Sequence, residues 1–203
     1  MLERQTHPYK HYLPETAEAV IIGSAPPWRF CTGKAKNLRV CDINFFYGSM
    51  DNRFWCVIFE IMGTKPKPVT VEHLKKILKD HRLGMGDILK SFTRRDRISA
   101  DSALSEFIYN IRLVEEIMDR DRIRKLFFTS KFAYKHFKRA LRQQGYAFVE
   151  REIENRQYSL SVSRPGFEPK EFEISVLLSP SRSAWNSFED LVADYRKQFS
   201  GFF

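Results

Sequence analysis

The stretch Glu18-Ala-Val-Ile-Ile-Gly-Ser-Ala-Pro-Pro-Trp28 is a short, mostly β-branched apolar run that ends at a glycine and opens into a loop. This pattern is typical of a buried parallel strand. The same order returns at Lys125-Leu-Phe-Phe-Thr-Ser130, which precedes a basic amphipathic helix over 131–144. A third unit has a strand at 174–178 and a helix over 186–199. Three such units predict an α/β three-layer sandwich, in which helices flank a short, mainly parallel central sheet.

The remaining segments are assigned from apolar spacing and turn residues. They are predicted as an extended segment at 39–47, helices over 51–63, 70–81 and 99–118, a turn at Gly84-Met-Gly86, and a hairpin-like excursion within 146–172. The length of 203 residues suits a single domain, 1–203, that begins with a polar N-terminal arm over 1–17.

Composition excludes several classes of protein. Hydrophobic residues at 43% and charged residues at 29% are ordinary globular usage, which excludes disorder and fibrous repeats. No apolar run approaches the roughly 18 residues of a membrane span, so we expect a cytoplasmic protein with no membrane partner. Cys31, Cys41 and Cys56 are widely spaced and odd in number, which argues against a disulfide framework, a zinc site or an iron–sulfur cluster.

The five histidines show no metal-binding spacing, and the chain has neither a P-loop nor a G-x-G-x-x-G motif. We therefore predict a protein that uses no metal or other cofactor. The formal net charge of +9 favours anionic partners such as nucleic acid, with a merely solvated basic face as the alternative. In parallel sheets, ligands bind at the loops that leave the carboxyl ends of the strands, so those loops are the candidate site.

One block of sequence resembles a known family. Phe46-Tyr-Gly-Ser-Met-Asp-Asn-Arg-Phe-Trp-Cys-Val-Ile58 is similar to the aromatic, Asn-Arg-Phe-Trp block of the uracil-DNA glycosylase superfamily, closest to its hypoxanthine-DNA and mismatch-specific uracil/thymine glycosylase branches. Gly23-Ser-Ala-Pro-Pro27 resembles the first motif of that superfamily, and Leu178-Ser-Pro-Ser-Arg-Ser183 resembles the second. Asp87-Ile-Leu-Lys-Ser91 and Ser99-Ala-Asp-Ser-Ala-Leu104 resemble the hypoxanthine branch. The matches occur in family order over most of the chain.

The resemblance implies three groups of site residues. The implied catalytic residues are Asn52, Asp87 and Ser179; the implied base-binding residues are Gly23, Ser24, Ala25 and Tyr47; and the implied DNA-binding residues are Ser130, Lys131, Ser181, Arg182 and Ser183. Members of the superfamily often carry Asn or Asp in the first motif and Asn or His in the second. This chain departs at both places, with Ala25-Pro26 and Ser179.

Several of these residues also have a structural interpretation. Tyr47 either stacks on an extruded base or belongs to an aromatic core. Asn52 and Asp87 either contact the base and a water molecule or cap helices. Ser130 and Lys131 either bind a DNA phosphate or form an ordinary helix start, and Ser181 and Ser183 fit phosphate contacts at a helix N-terminus.

The resemblance therefore implies a monomeric, monofunctional DNA glycosylase. It would flip a deaminated base, uracil or hypoxanthine, out of DNA and hydrolyse the N-glycosidic bond. Two alternatives stay open: a non-catalytic nucleic-acid binding module on the same fold, and a hydrolase that acts on nucleosides or RNA.

Overall fold

The computed structural model describes residues 1–166 and 168–203, and all elements are those of the described residues. The strands are β1 (Leu2–Thr6), β2 (Ala19–Gly23), β3 (Leu83–Asp87), β4 (Leu89–Arg95), β5 (Leu104–Tyr109), β6 (Lys125–Phe128), β7 (Ala147–Glu154), β8 (Gln157–Ser163) and β9 (Lys170–Val176). The helices are α1 (Phe54–Met62), α2 (Val71–Asp80), α3 (Ile111–Asp119), α4 (Lys131–Gln143) and α5 (Phe188–Gln198).

The central sheet has six strands in the order β3-β2-β6-β9-β8-β7. The first four are parallel to one another, and β8 and β7 continue the sheet as an antiparallel hairpin. Strand β2 lies between β3 and β6, and all five of its residues are buried. The predicted mainly parallel sheet is confirmed.

Helices cover both faces of this sheet because side chains of β2 alternate between two cores. Val20 and Ile22 belong to a cluster with residues of α3 and α4. Ala19 and Ile21 point the other way, into a cluster with residues of α1, α2 and α5. The three-layer arrangement is therefore confirmed. None of the helices in the described residues is long and apolar enough to cross a membrane.

A second sheet, in the order β1-β4-β5, was not predicted. The N-terminal arm supplies β1, which pairs antiparallel with β4. The predicted helix over 99–118 is wrong in its first half, where β5 pairs antiparallel with β4. The chain turns at Asn110, whose side chain accepts the Leu113 backbone N–H and so begins α3. The helix-like apolar spacing of this segment thus runs across two elements.

The turn predicted at Gly84-Met-Gly86 is also wrong, because these residues form the middle of β3. A β-carbon on Gly84 would lie 2.2 Å from a methyl carbon of Leu13, and one on Gly86 would lie 2.9 Å from Cβ of His11. The glycines therefore let the N-terminal arm pack closely against β3, where Tyr12 bridges to Met85.

The segment predicted as extended at 39–47 forms turns instead. The Asp42 carboxylate accepts the backbone N–H groups of Arg39 and Met50, which draws this loop together. The hairpin predicted within 146–172 is confirmed as β7 and β8, but it extends the central sheet; Phe167, in that range, lies outside the described residues. The last strand is displaced from 174–178 to Lys170–Val176.

Candidate functional site

A cavity of about 270 Å³ lies at the carboxyl ends of the parallel strands, where the loops after β2, β6 and β9 meet the end of β3. The loop before α1 and the residues before β5 close its other sides. Among the predicted site residues, those that line the cavity are Ser24, Ala25, Tyr47, Asn52, Asp87, Ser130, Ser179, Ser181 and Ser183. Gly23, Lys131 and Arg182 are not among the lining residues. The topology thus brings together segments that are far apart in the sequence.

Tyr47 forms one wall of the cavity in a conformation that tyrosine rarely adopts, with φ of 55°. Its ring stacks on Phe54 at 4.6 Å between centroids and 26° between planes. Its hydroxyl lies 3.1 Å from Oγ1 of Thr129, and burial raises the pKa of the phenol well above its usual value. Only part of the residue is buried, so Tyr47 combines a core contact with a face toward the cavity.

Gly23, the last residue of β2, leaves space beneath this wall. A β-carbon there would lie 2.3 Å from both the Tyr47 hydroxyl oxygen and Oδ1 of Asp87. These two oxygen atoms therefore converge over the glycine, and any side chain at position 23 would displace them. The contribution of Gly23 to the site is the space that it leaves.

Asp87 ends β3, and its side chain is 7% exposed. Its Oδ2 atom lies 2.8 Å from Nε2 of His7, which comes from the N-terminal arm. The helix-cap interpretation of Asp87 is wrong, because Asn110 caps the next helix and its amide donates to the Asp87 backbone carbonyl. Sequence reasoning missed His7, since 80 residues separate it from its partner.

Asp101 is a second carboxylate in the cavity, and it was not predicted. Its Oδ1 accepts a hydrogen bond from the Ser24 hydroxyl at 2.6 Å, and its Oδ2 accepts one from Ser130 at 3.3 Å. Burial raises the pKa of Asp101, and the two serine bonds offset this only in part. Its position in the Ser99–Leu104 block was the available signal, but the helix predicted there concealed it.

Asn52 lines the cavity and also serves the backbone. Its Oδ1 accepts the Phe54 N–H at 2.9 Å, at the first residue of α1, which supports the capping interpretation. Its side-chain NH₂ has no hydrogen-bond partner among the described residues, so this group can still donate into the cavity. Asn52 also bridges to Ser181, which joins the loop before α1 to the loop after β9.

The loop at 179–187 differs from the prediction. Helix α5 begins at Phe188 and is capped by Ser187, so Ser181 and Ser183 lie in the loop and not at a helix N-terminus. The Ser179 hydroxyl accepts the Ser181 N–H, and the hydroxyls of Ser181 and Ser183 lie 2.8 Å apart. Arg182 is exposed beside them.

Ser130 is a helix cap, as its structural interpretation predicted, because its side chain accepts the Ala133 N–H at the start of α4. Lys131 is the exposed first residue of that helix. A role for either residue in phosphate binding stays a prediction.

Two arginines, the buried Arg94 and the partly buried Arg53, hold the loops in place, and neither was predicted. Arg94 is 1% exposed, and its Nη2 donates to the Pro26 carbonyl at 2.6 Å, in the loop after β2. Arg53 donates to the carbonyls of Asn186 and Ser181, in the loop after β9. These two arginines therefore hold the loops of the site in position, although neither of them lines the cavity.

A further set of charges, here called the rim network, joins Arg29 and Arg39 to Asp42 and Asp51. Arg29 donates to both oxygens of Asp42, at 2.6 and 2.9 Å, and to the Ser49 hydroxyl. It also pairs with Asp51, which in turn contacts Arg39. Burial opposes ionisation of Asp42, but Arg29 and two backbone N–H groups lower its pKa to about 2. The rim network fixes the loop that carries Tyr47.

No group of three or more His, Cys, Asp or Glu side chains that could hold a metal ion is found within 1–166 and 168–203. The polar groups that line the cavity are three carboxylates (Asp51, Asp87 and Asp101), hydroxyls, an amide and a protonated phenol. Such groups can accept a proton from water and hydrogen-bond a planar polar ligand.

Comparison with known proteins identifies the fold. No protein-family model and no curated protein sequence matches this chain. Among solved structures, the chain is similar to the solution NMR structure of a "putative Uracil DNA glycosylase" from Methanosarcina acetivorans. The two chains are 20% identical and superpose with a TM-score of 0.58, over 97% of this chain and 98% of the other. At this identity the likeness concerns the fold, which the two proteins share along nearly their whole length.

Proposed function

We propose that this protein is a DNA glycosylase that removes a deaminated base, uracil or hypoxanthine, by hydrolysis of the N-glycosidic bond. One observation carries the proposal: a single cavity is lined by the aromatic Tyr47 and by two carboxylates, Asp87 at the end of β3 and Asp101 before β5. Its volume of about 270 Å³ suits one small planar ligand. The shared fold and the order of the sequence motifs support the same assignment.

Stacking on Tyr47 would offset part of the free energy needed to extrude the nucleotide. Unstacking a base costs a few kcal/mol, and stacking on an aromatic ring returns roughly 1–3 kcal/mol. Phe54 supports the ring from behind, so the ring presents a fixed surface to the base. The neutral hydroxyl of Tyr47 is held by Thr129, which fixes the position of the outer end of the ring.

The carboxylates would serve the sugar and the attacking water. As the bond between C1′ and the base nitrogen breaks, its electron pair leaves with the base and positive charge develops on the sugar. Nearby negative charge at Asp87 and Asp101 stabilises that charge. Water then adds to C1′, and its proton passes by way of a carboxylate to the departing base. No lysine is found among the described residues that line the cavity, which favours water over an amine as the nucleophile and hence a monofunctional enzyme.

Base release from oligonucleotides is the decisive test. Oligonucleotides with uracil, hypoxanthine or xanthine, as single strands and in each mismatch, are incubated with the protein, treated with alkali and separated on a gel. We expect cleavage of at least one set. A blank gel for every base overturns the proposal.

Tyr47 variants test the pocket itself. Tyr47→Leu removes the stacking surface, and we expect it to weaken the apparent substrate affinity about tenfold, since one stacked base is worth roughly 1–3 kcal/mol. Tyr47→Phe keeps the ring and loses only the bond to Thr129, so its KM should stay within about threefold of the wild-type value. Equal KM values for both variants would place the base elsewhere.

A non-catalytic nucleic-acid binding module is the second candidate. Two observations favour it: Ala25 offers no reactive side chain, and the Ser179 hydroxyl is engaged by the Ser181 N–H. Salt-dependent DNA binding without release of any base would support this candidate, because phosphate contacts displace counterions.

A further inference from the structure

The N-terminal arm reaches the candidate site through a single side chain. Strand β1 pairs with β4, and the His7 N–H continues the ladder with a 2.9 Å hydrogen bond to the Lys90 carbonyl. This pairing places His7 beside the end of β3, where Asp87 lies. The imidazole packs on Phe46, at 5.5 Å between centroids and 25° between planes.

Both ring nitrogens of His7 have partners. Nε2 lies 2.8 Å from Oδ2 of Asp87, and the two side chains are only 6% and 7% exposed. Nδ1 lies 3.1 Å from the Tyr9 backbone nitrogen and 3.0 Å from the Tyr9 carbonyl oxygen. A neutral imidazole can thus accept the Tyr9 N–H at Nδ1, and an imidazolium can donate to the Tyr9 carbonyl. In both states Nε2 carries a proton that it donates to Asp87.

The second oxygen of Asp87 is left for the cavity. Oδ1 lies over Gly23 next to the Tyr47 hydroxyl, since a β-carbon at position 23 would collide with both oxygen atoms. With Oδ2 held by His7, the carboxylate cannot rotate without losing a nearly enclosed hydrogen bond, which carries a desolvation penalty.

We propose that His7 is a positioning residue that holds Asp87 with Oδ1 turned into the cavity, where Oδ1 accepts the proton of the attacking water. This inference rests on the proposed function. In the step itself, the oxygen–C1′ bond forms and the C1′–nitrogen bond breaks. The electron pair leaves with the base, and the water proton moves to Oδ1 and then to the base, so Asp87 is regenerated.

The chain contains a matched control. His11 lies on the same arm, and its Nε2 is also 2.8 Å from a carboxylate oxygen, that of Glu116 on α3. Glu116 is not among the residues that line the cavity. A purely structural histidine–carboxylate pair of the same length is therefore available for comparison.

The test compares base release by His7→Leu, His7→Gln, Asp87→Asn, the double variant H7L/D87N, and His11→Leu. We expect H7L to lower kcat about 10- to 100-fold, because a catalytic group misplaced by about 1 Å can slow a reaction about 100-fold, while KM stays within about twofold. H7Q, whose amide can still donate to Asp87, should recover most of the activity. H11L should match the wild type, and H7L/D87N should be no slower than D87N alone, because His7 acts through Asp87.

Several results would overturn this role. If the wild type is active and H7L is equally active, the role of His7 is overturned but the proposed function stands. A double variant that is much slower than D87N has the same meaning. A wild type that releases no base overturns the proposed function and this role together. Thermal unfolding identifies a variant that fails to fold. If H7L does not fold, the activities of H7Q and D87N test the role of His7 instead. The NMR resonance of the His7 Nε2–H proton gives a second test: it should shift in Asp87→Asn and stay unchanged in Glu116→Gln.

Discussion

Two aspartates near the same cavity, Asp42 in the rim network and Asp101 in the interior, have pKa values displaced in opposite directions. Asp42 contacts the Arg29 guanidinium at both oxygens, and its pKa is lowered to about 2. Among the described residues, the side chain of Asp101 accepts hydrogen bonds from the hydroxyls of Ser24 and Ser130 and from no arginine, and burial raises its pKa. An aspartate neutralised by arginine stabilises the fold, whereas an aspartate left to hydroxyls keeps lone pairs for chemistry.

The largest effect should come from Asp101→Asn. An asparagine keeps the shape and can bond to both serines, but it removes the charge, so we expect base release to fall about 1,000-fold. The same change should leave the protein equally stable or about 1 kcal/mol more stable, because a costly buried charge is lost. Single-turnover kinetics and urea unfolding measure the two effects. Asp80→Asn, on the exposed end of α2, is the control. A D101N variant that kept its activity would show that the charge of Asp101 is not needed for base release.

Asp42→Asn should mainly lower the stability of the protein. It leaves the 12% exposed Arg29 side chain without its bidentate partner, so we expect the free energy of unfolding to fall by about 3 kcal/mol. Asp51→Asn removes a half-exposed member of the same network and should cost under about 1 kcal/mol. Urea unfolding of both variants checks this, and equal losses would contradict it.

The pH dependence of stability should separate the two aspartates. The pKa of Asp42 is below its unfolded value, so its contribution of about 2 kcal/mol is complete above about pH 4 and is lost as the pH falls toward about 2. The pKa of Asp101 is above its unfolded value, so its penalty is present at neutral pH and disappears on acidification. Urea midpoints from about pH 7 to about pH 2.5 should therefore show the D42N deficit shrinking. A deficit that stayed constant would mean that Asp42 acts by packing alone.

Asn52 lines the cavity and lies at the start of α1, and we expect its replacement to have a small effect on stability. Asn52→Ala removes the acceptor for the Phe54 N–H and should cost about 1 kcal/mol. Asn52→Asp keeps that acceptor and removes only the NH₂ donors. If the amide serves the base or the water, N52D should be as stable as the wild type but slower in base release. Full activity of N52D would leave Asn52 as a cap.

The central sheet was predictable because its strands carry their own signal. The apolar runs at Ala19–Gly23 and Lys125–Phe128 are buried on both faces, and each ends where a polar loop begins. The second sheet was not predictable in this way. Strand β1, with sequence LERQT, is mostly exposed and forms only because β4 offers it an edge. The glycines of β3 likewise reflect the packing of a distant arm rather than local conformation.

The site follows the same division. Tyr47, Asn52 and Asp87 could be selected from the motifs, and all three line the cavity. His7, Arg94 and Asp101 could not, because their roles depend on partners 80, 68 and 77 residues away. The motifs contain residues that line the cavity, whereas the groups that hold those residues become visible only through long-range contacts.

The pairing of β1 with β4 also bears on how the chain is made. His7 leaves the ribosome before its ladder partner Lys90 and its side-chain partner Asp87, which are synthesised about 80 residues later. The residues of β1 therefore stay unpaired until β4 has been synthesised. The site can be completed only after β4 has been synthesised and β1 has paired with it.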